Sequence, residues 1–225
     1  DKDEEKEEII EGVIGIIIDD FGYRNDKVSD GFLKLNAKMT YAVIPGHSYS
    51  SLFGRKAVDA GYEVVVHMPL ENTGKTFGEE EFVLLTSMKE DEMIKRLNKA
   101  LDEIPTAIGM NNHQGSKASA DSSVVISIAK VIKERNLFFI DSRTTAESII
   151  ESTMESLNIP TARRNVFLDN DDEEEKIIAQ LMELAQKASE LGFAIGIGHV
   201  KPKTLSVLEK YIPILKQRGF KFEFV

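Results

Sequence analysis

The feature that most constrains the fold is a run of β-branched apolar residues that ends in two acids. Residues 13–18 are almost entirely valine and isoleucine, and Asp19, Asp20 and a glycine-containing turn follow directly. Such a run is typical of a strand buried on both faces, as in a parallel α/β sheet. The two acids either cap the next helix or lie at the carboxyl-end rim of the sheet, where such folds place their chemistry.

Strand-like and helix-like segments alternate about seven times along the 225 residues. This alternation favours one parallel α/β sheet, closed or nearly closed as a barrel, over two separate domains. We therefore predict an irregular (β/α) barrel of about seven parallel strands at residues 13–225, preceded by a charged leader at residues 1–12.

Composition narrows the range of partners. The formal net charge of -10 argues against nucleic acid or an anionic membrane surface and makes a neutral or cationic substrate easier to accommodate. Cysteine is absent, which excludes disulfides and thiolate metal ligands. No apolar run approaches the roughly 20 residues that a membrane-spanning helix needs.

Other metal-capable side chains also follow strand-like runs. His67, His113 and His199 each come after an apolar run, and Asp141 follows another. Each of these residues also has an ordinary structural explanation. His67, for example, could be a histidine of the core. His113 lies in the polar segment 111–116, which is predicted to be a loop and could be an ordinary Asn-rich turn. Because the carboxyl ends of parallel strands meet at one rim, we expect these residues to lie together.

Two further features fall in predicted loops. Residues 72–88 form the longest irregular segment, which is expected to act as a lid or a substrate wall. His47 follows a Pro-Gly pair and is expected to be solvated or to contact substrate rather than to bind metal.

One carboxylate with two imidazoles suits zinc or another divalent metal and leaves coordination positions open. Such a metal acidifies water and polarises a carbonyl, a second carboxylate can take the water proton, and a separate histidine can protonate the leaving group. This set predicts a hydrolase of amides or esters. A metallophosphoesterase is less favoured because no basic cluster accompanies these residues.

Six segments of the sequence resemble the divergent polysaccharide deacetylase family. They occur in the family order and span nearly the whole chain from about residue 13. The segments are Ile18-Asp19-Asp20-Phe21-Gly22, His67-Met68-Pro69-Leu70-Glu71, Asn111-Asn112-His113-Gln114-Gly115-Ser116, Asp141-Ser142-Arg143-Thr144-Thr145, Arg164-Asn165-Val166-Phe167-Leu168-Asp169 and Gly196-Ile197-Gly198-His199. The resemblance implies an irregular barrel related to metal-dependent carbohydrate deacetylases, which are typically exported and act on N- or O-acetylated glycans.

The resemblance also implies roles for four residues. Asp19 corresponds to the general base, Asp20 and His67 to metal ligands, and His199 to the general acid. The metal is expected to be zinc. The protein is expected to be exported (extracellular, periplasmic or cell-wall associated), with a carbohydrate as its substrate.

The chain departs from the ordinary deacetylases at one ligand. Those enzymes have a second histidine four residues after the first, where this chain has Glu71. We assign the third ligand to His113, with Glu71 as the alternative, because Glu71 lies beyond Pro69, where the chain should be leaving the rim.

The expected function is removal of acetyl groups from a carbohydrate by metal-activated water. The alternative is a non-catalytic glycan-binding or regulatory module that retains the barrel. We assign substrate binding to the polar residues that remain near the strand ends: Glu71, Asn111, Asn112, Asp141, Arg143 and Arg164.

Overall fold

A computed structural model describes residues 10–76 and 78–225. Residues 1–9 of the predicted charged leader lie outside the described residues, so its boundary stays a prediction. The strands are β1 (Gly12–Phe21), β2 (Thr40–Val43), β3 (Glu63–Leu70), β4 (Gly109–Gln114), β5 (Phe138–Asp141), β6 (Thr161–Arg163), β7 (Val166–Phe167), β8 (Phe193–His199) and β9 (Phe220–Glu223). The α-helices are α1 (Lys27–Phe32), α2 (Ser50–Asp59), α3 (Glu90–Glu103), α4 (Ser122–Glu134), α5 (Ile150–Ser156), α6 (Glu174–Leu191) and α7 (Pro202–Gln217).

All nine strands of the described chain belong to one sheet, in the order β6-β5-β4-β3-β2-β1-β8-β7. The ninth strand, β9, pairs with the first residues of β1, and every ladder is parallel. The predicted irregular α/β barrel is therefore confirmed, with nine strands in place of about seven. Within the described ranges, no helix has the length and apolar character needed to cross a bilayer.

The barrel has an opening, which we call the seam, between β6 and β7 at the two ends of the sheet. No ladder joins these two strands in the part of the chain that the structure describes. Two residues connect them along the chain: Arg164 N donates to Asp141 O at 3.0 Å, and Asn165 N donates to Ile195 O at 2.8 Å. The connection is thus held to β5 on one side and to β8 on the other.

Side chains alternate between the two faces of the sheet, as the pleat requires. On β1, Ile14, Ile16 and Ile18 lie in the large core that the helices cover, whereas Ile17 belongs to a second, smaller cluster. This second cluster contains no helix residue and fills the inside of the barrel. We call it the apolar floor: Ile17, Ala42, Val65, Ile140, Ile195 and Ile197.

The helix after β1 has its own N-cap. Asp26 Oδ1 accepts hydrogen bonds from the backbone N–H groups of Val28 and Ser29 at 3.1 and 3.0 Å. The alternative in which Asp19 and Asp20 cap this helix is therefore wrong.

Two local predictions, on Pro69 and on residues 111–116, are also wrong. β3 continues through Pro69, and residues 111–114 belong to β4, with Pro69 opposite His113 and Leu70 opposite Gln114. The ladder with β2 ends at Val66, so no strand on that side requires an N–H from Pro69. The polar side chains of β4 find partners across the barrel, which lets a polar segment remain in a buried strand.

Gly12 provides a test of how closely α6 packs on the sheet. A Cβ atom at Gly12 would lie 2.6 Å from the backbone C and O atoms of Ala188, and backbone cannot move aside as a flexible side chain can. We expect Gly12→Ala to lower the free energy of unfolding by about 1–3 kcal/mol in urea titrations. At exposed Gly74 a Cβ would meet nothing within 4 Å, so Gly74→Ala should change it by less than about 1 kcal/mol. Equal stability of the two variants would contradict this packing.

Candidate active site

Both acids after the apolar run face the inside of the barrel. Asp19 has the same parity as Ile17, so its side chain lies above the apolar floor, and it is opposite His199 in the ladder with β8. Strict alternation would turn Asp20 outward, but its φ of 70° breaks the alternation. Aspartate is one of the few residues that adopts this left-handed backbone readily. The two carboxylates therefore lie within 3.4–3.6 Å of the same His67 nitrogen, Nε2.

Asn111 fixes the orientation of His67. Asn111 Nδ2 donates to Asp19 Oδ1 at 2.8 Å, so Asn111 Oδ1 faces His67 Nδ1 at 2.7 Å. An amide oxygen accepts, so Nδ1 of a neutral His67 carries the proton and Nε2 offers its lone pair. His67 is 2% exposed and Asn111 is fully buried. Asn111 is thus placed to orient both a carboxylate and an imidazole.

Three side-chain atoms form a triangle suited to a metal. Asp20 Oδ1 lies 3.4 Å from His67 Nε2 and 3.2 Å from His113 Nδ1, and the two nitrogens are 3.1 Å apart. A tetrahedral site with metal–ligand bonds of about 2.0–2.1 Å has edges of about 3.3–3.4 Å. Asp20 Oδ1 is buried and has no hydrogen bond of acceptable geometry with any described group. Donor set and spacing fit a divalent metal such as zinc.

Across the described ranges, these three residues are the one group of three metal-capable side chains close enough to share an ion. The alternative ligand Glu71 lies elsewhere: its Oε2 accepts from Thr86 N and Oγ1 at 2.6 and 2.8 Å, and its Oε1 accepts from Lys117 at 2.7 Å. Geometry therefore groups His113, and not Glu71, with Asp20 and His67.

Burial and mutual charge set the pKa values of this cluster. Burial raises the pKa of Asp19 above its usual range, because His67 and His199 offset the desolvation only in part. Burial also disfavours the charged form of Asp20, but the imidazoles of His113 and His67 outweigh it and lower its pKa. For His67, burial favours the neutral ring, yet Asp19 and Asp20 raise its pKa to about 9. Without a metal, His67 is thus held as a cation between two acids.

His199, at the end of β8, is held by a residue that sequence reasoning did not assign to the site. Asp169 Oδ1 accepts from His199 Nδ1 at 2.8 Å, while its Oδ2 accepts from His199 N at 2.8 Å and from Thr204 Oγ1 at 2.6 Å. Burial lowers the pKa of His199, but Asp169 outweighs it and raises the pKa. Asp169 follows β7, so its position at a strand end was the signal that could have identified it.

A second unassigned residue, Glu79, comes from the predicted lid at residues 72–88. Its side chain is 3% exposed, and its Oε1 lies 2.8 Å from His47 Nε2 and accepts from the Tyr23 hydroxyl at 2.5 Å. Its Oε2 lies 4.0 Å from His113 Nε2. The irregular segment therefore reaches the ligand cluster. Nothing in three consecutive glutamates indicated which one would do so.

Beside the cluster lies a cavity of about 790 Å³. Asp19, His67, His113 and His199 form one side of it, and Arg143 and Arg164 lie in its wall.

The other residues assigned to substrate binding serve internal bonds. Asp141 is fully buried and accepts from Arg143 N and Ser148 Oγ at 2.8 and 2.7 Å. Asn112 lines the cavity but accepts from Ser142 N at 2.9 Å. Substrate contact by these side chains, and by Glu71 and Asn111, stays a prediction.

Comparison of sequences identifies two relatives. The chain is 29% identical over 204 residues to the uncharacterized protein YibQ of Escherichia coli, covering 91% of this chain and 63% of that protein. It is 31% identical over 196 residues to an uncharacterized protein of Haemophilus influenzae, covering 87% of this chain and 69% of the relative. The chain thus spans about two thirds of the length of these relatives.

Solved structures share the fold. The uncharacterized protein ATU2773 of Agrobacterium tumefaciens superposes with a TM-score of 0.90 at 21% identity, over 96% of this chain and 88% of that one. The catalytic domain of peptidoglycan N-acetylglucosamine deacetylase from Eubacterium rectale gives a TM-score of 0.60 at 15% identity, over 95% and 88%. BA3943 of Bacillus anthracis, a CE4 family pseudoenzyme, gives a TM-score of 0.59 at 16% identity, over 95% of this chain and 64% of that one.

The family comparison agrees with the six segments recognised in the sequence. The model of the divergent polysaccharide deacetylases matches residues 16–225, which include every strand-end residue of the cluster. On this match the chain belongs to the divergent polysaccharide deacetylase family.

Proposed function

We propose that this protein is a metal-dependent hydrolase that removes acetyl groups from an N- or O-acetylated carbohydrate. The observation that carries the proposal is the triangle of Asp20, His67 and His113, with a further buried carboxylate, Asp19, beside it. A site that only held a metal would have no use for this second acid.

The chain's own residues would act as a base and as an acid in this reaction. A divalent metal at the triangle, most simply zinc, would acidify water and polarise the acetyl carbonyl. Asp19 is placed to take the water proton, and its raised pKa brings it closer to neutral pH, where a general base is most effective. Asn111 holds the Asp19 carboxylate in place.

His199 is suited to the opposite proton transfer. Asp169 orients its ring through Nδ1 and raises its pKa, so Nε2 can carry a proton at neutral pH. That proton would go to the leaving amine or alkoxide of the sugar. His199 lies directly across from Asp19 in the ladder, which supports a base and an acid on either side of one reaction centre.

The proposal is tested by acetate release from N- and O-acetylated oligosaccharides after the purified protein has been loaded with zinc. Acetate release that depends on the metal would support it. The alternative is a glycan-binding module, and the pseudoenzyme among the structural neighbours gives it a precedent in this fold. Glycan binding without acetate release from any substrate would favour that alternative.

The first prediction concerns the ligands. We expect Asp20→Asn, His67→Ala and His113→Ala each to weaken zinc binding by more than about 100-fold, because loss of even an outer-shell partner commonly costs 10- to 100-fold. Asparagine is chosen at Asp20 because it tolerates the left-handed backbone. Zinc content after dialysis against a weak chelator measures the effect.

His47→Ala and Glu71→Gln serve as controls for the ligand variants, since neither side chain belongs to the triangle, and both should retain zinc. If Glu71→Gln loses zinc while His113→Ala keeps it, the site has two carboxylates and one imidazole.

The second prediction concerns the base. Asp19→Asn should retain zinc and the fold while lowering the rate of acetate release by about 100- to 10,000-fold, which is the usual worth of a positioned proton acceptor. The rate is measured at saturating zinc, alongside the zinc content. Loss of zinc from this variant would show that Asp19 and Asp20 have exchanged roles.

The third prediction concerns pH. The pKa of His67 is about 9 in the metal-free protein, so zinc must displace a proton from it at lower pH. We expect the apparent zinc association constant to rise about tenfold per pH unit between pH 7 and pH 8.5, where an ordinary imidazole is already neutral. Competition with a chromophoric chelator measures it. An affinity that is constant over this interval would mean that His67 is neutral before zinc binds.

A further inference from the structure

The wall of the active-site cavity differs in charge from the protein as a whole. The formal net charge is -10, which favours a neutral or cationic substrate. Yet two arginines, Arg143 and Arg164, lie in the wall of the cavity that contains Asp19 and His199. Local charge, and not net charge, decides what a buried subsite binds.

Neither guanidinium is neutralised by an ion pair with a described residue. Arg164 donates from Nε to Ser142 O and from Nη2 to Arg143 O, both at 2.8 Å, and lies 4.9 Å from the centre of the Phe167 ring. These partners are uncharged. The Arg143 backbone is fixed by its N–H bond to Asp141 at 2.8 Å, while its side chain makes no hydrogen bond or ion pair within residues 10–76 and 78–225.

The two arginines are close enough to influence each other. Burial lowers the pKa of Arg164 most, Asp141 and Asp19 raise it, and the nearby charge of Arg143 lowers it by a smaller amount. A partly buried guanidinium loses hydration that hydrogen bonds and opposite charge must replace. A ligand carboxylate beside Arg164 would supply both.

The two acids that line the cavity besides Asp19 are already paired. Asp171 lies 3.5 Å from Lys176, and Glu183 lies 3.6 Å from Lys187. Ser142 also lines the cavity, but its Oγ is itself buried. The cavity therefore offers two guanidinium groups to a ligand.

We propose that Arg143 and Arg164 form a subsite for a carboxylate, so that the substrate is an acetylated glycan whose sugar carries an acidic group. This inference rests on the proposed deacetylase function for its substrate, but not for its test by binding. A carboxylate matches the planar donor fork of arginine, which recognises it with two parallel hydrogen bonds. The acetyl group would then lie toward Asp19 and His199.

The test compares ligands that differ only in charge. The probes are an N-acetylated hexosaminuronic acid, an N-acetylated hexosamine with a carboxylate on a C3 ether, and the carboxamide of each. Binding to zinc-loaded Asp19→Asn protein is measured by calorimetry, so that turnover does not interfere. Acetate release by the wild-type protein is measured in parallel. We expect at least one acid to bind about 10- to 100-fold more tightly than its amide, as for a charge-assisted hydrogen-bonded contact.

Arg143→Gln, made in the Asp19→Asn background, should abolish this preference by lowering the affinity for the acids to that for their amides. Arg163→Gln is the matched control, since it removes the same charge next to Arg164 in the chain, from a residue that is exposed and pairs with Glu151 at 3.3 Å. It should retain the preference. Thermal midpoints of both variants check that the fold is intact.

Equal binding of acids and amides would overturn the carboxylate subsite, and so would an equal loss of preference in Arg163→Gln and Arg143→Gln. The subsite is supported if the preference for acids over amides is lost in Arg143→Gln and kept in Arg163→Gln, even if the wild-type protein releases no acetate. In that case the proposed deacetylase activity fails and the subsite stands. Acetate release from the amides alone supports the activity and overturns the subsite.

Discussion

The site depends on one interaction, the enclosure of the His67 imidazole between two carboxylates in the interior of a barrel. His67 and Asp19 are almost completely buried, at 2% and 3% exposure. Ionised groups in such a place are unfavourable unless opposite charges and hydrogen bonds compensate them. Asp19 and Asp20 supply the charges, and Asn111 supplies the hydrogen bonds. A divalent metal held by Asp20, His67 and His113 would replace the His67 proton as the positive charge between the two acids.

The alternation of side chains along parallel strands explains both the floor and the chemistry above it. Ile17 lies in the apolar floor, and two residues further along β1 comes Asp19; Val65 and His67 stand in the same relation on β3, and Ile197 and His199 on β8. The strand-end argument predicted this layer from the sequence, because it needed only a period of two and the parallel arrangement. That is why the fold and most of the cluster were predictable.

Other parts of the site depend on contacts that no local pattern records. The left-handed backbone of Asp20 cannot be predicted from the sequence, which shows only two adjacent acids. The polar strand at residues 111–114 is stable only because partners on other strands satisfy its side chains. Glu71 is drawn away from the rim by Thr86 and Lys117, and Glu79 is brought to it by a long irregular segment. In each of these cases tertiary contacts, and not the local sequence, determine which residue takes part in the site.

The seam has a consequence for binding energetics. Arg164 and Asn165, which connect β6 to β7, are held on both sides, since Asn165 also accepts from Ile195 N through its side chain at 2.7 Å. The same short connection provides part of the cavity wall. A wall fixed by the backbone keeps its shape before a ligand arrives, so little conformational entropy is lost on association. Affinity then follows from the contacts themselves, and this fixed part of the wall limits the size and shape of the ligands that fit.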